Sequence, residues 1–74
     1  MRYYMFKWIN SDDKGIIAQG DGIYYTSATL DFNEVKNIVR AEIAPDPATS
    51  IIVPLTNEID YEAFVSLGGD PDVR

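Results

Sequence analysis

An α+β fold with element order β-β-α-β-α is predicted for these 74 residues, and three features of the sequence predict it. Residues 3–9 and 15–27 are both rich in aromatic and β-branched side chains, and a turn-forming cluster separates them. Residues 32–43 carry apolar side chains at three- and four-residue intervals, the period of a helix with one buried stripe. The opening Leu/Ile-Asp-aromatic occurs twice, at Leu30-Asp31-Phe32 and Ile59-Asp60-Tyr61, in the form that starts a helix.

The first strand places Tyr4, Phe6 and Trp8 on one face and Tyr3, Met5, Lys7 and Ile9 on the other. Asn10-Ser11-Asp12-Asp13-Lys14-Gly15 then supplies residues that tolerate turn geometry. The second strand sets Ile17, Ile23 and Tyr25 against Ile16, Ala18 and Tyr24, with Gly20-Asp21-Gly22 between its halves. A bulge at these glycines within one long bent strand is favoured over a turn, because either half alone is very short.

The first helix is expected over residues 32–43. Asp31 is the N-cap, Glu34 completes a variant of the capping box, and Leu30 staples onto Val35. Ala44-Pro45-Asp46-Pro47 stops it, since proline cannot continue the hydrogen-bond ladder. Residues 50–56 form the third strand with Ile51, Val53 and Leu55 on one face, and Pro54, lacking an amide donor, assigns it to a sheet edge. Asp60 caps a short second helix that reaches Leu67, and Gly68-Gly69 closes it. Residues 1–69 make one domain, followed by a flexible acidic tail at 70–74.

The first strand is apolar on both faces, which places it in the middle of a three-stranded, mainly antiparallel sheet of order 2-1-3. The first helix packs on one face. Phe32, Val35, Val39, Ile51, Val53, Leu55, Ile59 and Phe64 are the expected core. A twelve-residue helix covers only one face of such a sheet. The second face is either closed by the short second helix or left open as an apolar patch of several hundred Å², the kind of surface that marks a partner or ligand site.

Composition removes most chemistry. There is no Cys and no His, so disulfides, thiolate or imidazole metal sites and His-assisted nucleophiles are absent. Asp12-Asp13 and Asp70-Pro71-Asp72 lack the spacing of a Ca²⁺ loop, and Gly20-Asp21-Gly22 lacks the companions of a phosphate loop. No catalytic, cofactor or metal residues are therefore assigned. The net charge of −6 falls entirely in residues 41–74, where Arg74 alone opposes seven carboxylates, and the six cations are scattered, which disfavours nucleic acid. No apolar run is long enough to span a membrane, and the interrupted N-terminus does not read as a signal segment, so a cytoplasmic location is expected.

The function expected is a non-enzymatic interaction or regulatory module, of the size of small accessory or inhibitor-like proteins of bacteria and phages. It binds a protein partner, and itself as a homodimer, through Tyr4, Phe6, Trp8 and Tyr24, because Tyr and Trp join a large apolar body to a polar tip. One alternative is a small-molecule binder that stacks a planar ligand beside the bend at Gly20, Asp21 and Gly22. Another is an acidic mimic of nucleic acid that blocks a basic partner.

Overall fold

A computed structural model describes residues 1–43 and 48–73. Arg2–Asp12 form β1, Gly15–Thr26 β2, Phe32–Ile43 α1, Ser50–Ile59 β3 and Tyr61–Ser66 α2. The strands build one antiparallel sheet in the order β2-β1-β3, as the two-sided apolar pattern of β1 requires. Since β2 and β3 both oppose β1, they run the same way, and α1 carries the chain from one to the other across the face of the sheet. The proline stop at 44–47 and Arg74 lie outside the described residues. Among the described residues no helix is long and apolar enough to cross a membrane.

The β1-β2 hairpin is longer than its sequence suggests. Asn10, Ser11 and Asp12 belong to β1, and only Asp13-Lys14 make the turn, where the Asp12 carboxylate accepts the Lys14 N–H at 2.8 Å. Gly15 follows at φ +132°, a backbone region that a residue with a Cβ occupies only under strain. Pairing then runs without a break from Asn10↔Ala18 to Arg2↔Thr26. The bulge expected at Gly20-Asp21-Gly22 lies elsewhere: register shifts at Asn10/Ser11, leaving Ile17 as the extra residue.

A second shift decides which side chains of β3 are buried. Lys7 pairs with Leu55 and Ile9 with Ile52, so Val53 and Pro54 together face Trp8. Pro54 thus sits in a bulge on an edge strand, where its missing donor costs least. The extra residue reverses the alternation: Ile51 and Val53 join the core under α1, whereas Leu55 turns to the opposite face and is 45% exposed. The expectation that Leu55 is core is corrected by that slip.

On α1, Asp31 Oδ1 accepts the N–H of Asn33 at 2.9 Å and of Glu34 at 3.4 Å. Val35 and Val39 form the centre of the stripe at 0% and 1% exposure, and Leu30 and Ile43 pack beside them. Phe32, expected in the core, is 47% exposed, because it lies roughly 60° around the helix from Val35 and in the first turn. On α2, Asp60 accepts the Ala63 N–H at 2.7 Å. Its far end closes with Gly69 N–H to the Phe64 carbonyl and Gly68 N–H to the Val65 carbonyl, both 3.0 Å, with Gly68 at φ +100°. Residues 70–73 turn back towards β1 and α2, where the Tyr3 hydroxyl donates to the Val73 carbonyl at 2.6 Å and the Tyr61 hydroxyl donates to the Pro71 carbonyl.

Candidate interaction surface

The side chains expected to form a binding face are the floor of the core. Tyr4, Phe6 and Tyr24 are 6%, 3% and 4% exposed beneath α1, together with Val35, Val39 and Ile51, and half-buried Trp8 packs against the same cluster. The stripe on α1 settles on the sheet face with the larger rings, because that burial removes the most apolar area from water. Tyr4, Phe6 and Tyr24 are therefore core side chains of the single chain and offer no exposed contact face.

The Tyr24 hydroxyl donates to Glu34 Oε2 at 2.9 Å. Burial, and then the Glu34 carboxylate, push the Tyr24 phenol above its ordinary value. Glu34 thus engages Tyr24 on the sheet, where the sequence suggested a reach back to the helix start.

Gly20 and Gly22 do not leave the places of their missing side chains empty. A Cβ on Gly20 would stand 2.8 Å from Trp8 Cζ2, and one on Gly22 would run into the Phe6 ring. Each ring lies across the neighbouring strand and fills the place of a missing side chain. The signal was legible in principle: Phe6 and Trp8 have the same two-residue spacing as Gly22 and Gly20, reversed as a hairpin demands. Asp21, between the glycines, projects to the other face, where its cross-strand neighbour is Lys7.

That second face is covered at one end only. Phe64 of α2 is 2% exposed and meets Tyr3 at a centroid distance of 4.8 Å and Tyr25 at 5.8 Å, while Tyr61 stands edge-on to Tyr3 at 5.7 Å. The cover stops there. Towards the hairpin turn the face continues through Met5, Lys7 and Ile9 of β1, flanked by Ile23 and Asp21 on β2 and by Leu55 and Ile52 on β3. Ile52 is 49% exposed, and Leu67, at the end of α2, is 51%. Both sequence alternatives for this face are thus realised, each on half of it.

The open half runs into a groove of about 430 Å³ along the free edge of β2. Its floor is Phe6 and Gly22 on one side of the sheet and Met5 and Ile23 on the other. Ile38 and Glu42 of α1 wall it from one face, Leu67 from the opposite face, and Lys7 and Asp21 contribute charge. Among the described residues no cluster of His, Cys, Asp or Glu could hold a metal ion. Comparison with family models, curated proteins and solved structures returns no match for this chain, so the functional reading stands on this geometry.

Proposed function

We propose that the chain is a non-enzymatic protein-interaction module, of the small accessory or inhibitor-like kind, which binds a protein partner or a second copy of itself through the uncovered half of the second sheet face. One observation carries the reading: α2 and the residues after it shield the Tyr3 end and leave Ile52, Leu55 and Leu67 about half exposed. Exposure of scattered apolar side chains needs no explanation, but a contiguous apolar surface on so small a domain marks a contact site. Lys7 and Asp21, opposite each other in its middle, give the surface a polar register without a net charge.

Leu55→Asp tests the reading, since Leu55 lies on this surface and outside the core. If the module binds itself, light scattering finds a mass above the monomer that falls to the monomer in Leu55→Asp with an unchanged circular dichroism spectrum. If it binds another protein, the wild-type chain retains a partner that Leu55→Asp loses. A variant that behaves as wild type in both measurements overturns the proposal.

A further inference from the structure

We propose that the partner docks on the free edge of β2 by adding one extended strand that presents both apolar and Lys or Arg side chains to each face of the sheet. This inference rests on the interaction reading and specifies its mode. The sheet has two edges, and they are unequal. The β3 edge is interrupted by the bulge and by Pro54, which has no N–H to offer. The β2 edge contains no proline, and its pairing is regular from Ala18 to Thr26.

An added strand points successive side chains to opposite faces of the sheet, so a docking edge needs a pocket on each face. Here Ile38 of α1, 40% exposed, lines the groove from one face, and Leu67 lines it from the other. Gly22 lies at the strand between them, and the Phe6 ring that occupies the place of its missing side chain belongs to the floor of the groove. The charge of the groove selects the partner. Asp21 and Glu42 line it, and its one cation, Lys7, lies a strand further in, opposite Asp21. A second copy fits poorly, because Asp21 is the sole charged residue of β2 and antiparallel pairing of two such edges brings like charges together without a compensating cation.

The experiment titrates the full chain with a synthetic peptide of repeated valine-valine-lysine-lysine, which presents both residue types to each face, up to millimolar concentration, following backbone amides by NMR. The expected result is shifts in β2, Ile38 and Leu67, slowed amide exchange along β2, and about tenfold weaker binding by an Asp21→Asn, Glu42→Gln double variant, whose sites are solvent-exposed. Equal binding of a valine-glutamate peptide overturns the charge selection. Shifts confined to Ile52 and Leu55, or no shift at all, overturn strand addition. Concentration-dependent protection of β2 without peptide makes a second copy the occupant and overturns the choice of partner. The Leu55→Asp measurements do not depend on this edge, so a negative titration beside a positive Leu55→Asp result removes the docking mode and leaves the module reading in place.

Discussion

Both faces of the sheet carry aromatic rings from β1, yet the two are finished in different ways. On the α1 face, Tyr4, Phe6 and Tyr24 lie under a helix of twelve residues, and Gly20 and Gly22 give up their side chains so that Trp8 and Phe6 can lie flat. On the α2 face, a helix of six residues anchors one end through Phe64 against Tyr3 and Tyr25, and the rest of the surface stays in water. One face is therefore closed along its length, and the other is closed at one end and open to water at the other. The strands give the α1 face four rings, Tyr4, Phe6, Trp8 and Tyr24, and the α2 face two, Tyr3 and Tyr25, and the longer helix covers the face with more.

The comparison can be broken most forcefully at Val39. An aspartate there places an unpaired carboxylate in a fully buried site, a cost of several kcal/mol against a total stability of about 5–10 kcal/mol, and the circular dichroism spectrum should be that of an unfolded chain. Phe64→Ala attacks the other face. Loss of the buried ring should cost about 3 kcal/mol and expose Tyr3 and Tyr25, while the amide spectrum of α1 persists. If α1 melts together with α2, the two faces are not separable.

Smaller changes sharpen the contrast. Gly22→Ala forces a methyl group against the Phe6 ring, which is 3% exposed and has no room to yield, so chemical denaturation should reveal a loss of about 1–3 kcal/mol. Gly20→Ala should cost less, because Trp8 is only half-buried and its ring can shift outward. Tyr24→Phe removes the hydrogen bond to the exposed Glu34 carboxylate and should cost about 1 kcal/mol at neutral pH. It also has a pH signature. The folded state holds the Tyr24 proton more tightly than the unfolded chain, so this contribution is intact below the ordinary tyrosine value of 10.0 and is lost as pH rises beyond it. Denaturation midpoints measured up the alkaline range should therefore fall less steeply in Tyr24→Phe than in wild type. Least of all, Leu55→Asp should change stability by no more than about 0.5 kcal/mol, since the side chain is already largely hydrated.

Local rules made most of the fold legible. The helix starts at Asp31 and Asp60, the span of α1, the central place of β1 and the edge position of Pro54 follow from capping, periodicity and the missing proline donor. What escaped was phase. A single extra residue opposite Trp8 sends Leu55 to the far face, and no propensity of Val53 or Leu55 announces it. Which sheet face stays open escaped for a related reason: Tyr4, Phe6 and Trp8 resemble an interface by composition, and only the landing of α1 shows that they are core. Asn10 is a similar case, a turn former by type that the lengthened hairpin buries to 4% exposure, with its Oδ1 unpartnered among the described residues.

The asymmetry introduced by Pro54 also limits how such chains assemble. A sheet with two receptive borders can recruit neighbours on either side without end, which is the route to fibres. Here the border carrying Pro54 and its bulge acts as a terminator. A strand of the kind proposed, added at the opposite border, would end growth there unless it brought a receptive border of its own, and such a complex would have a fixed stoichiometry rather than a length distribution.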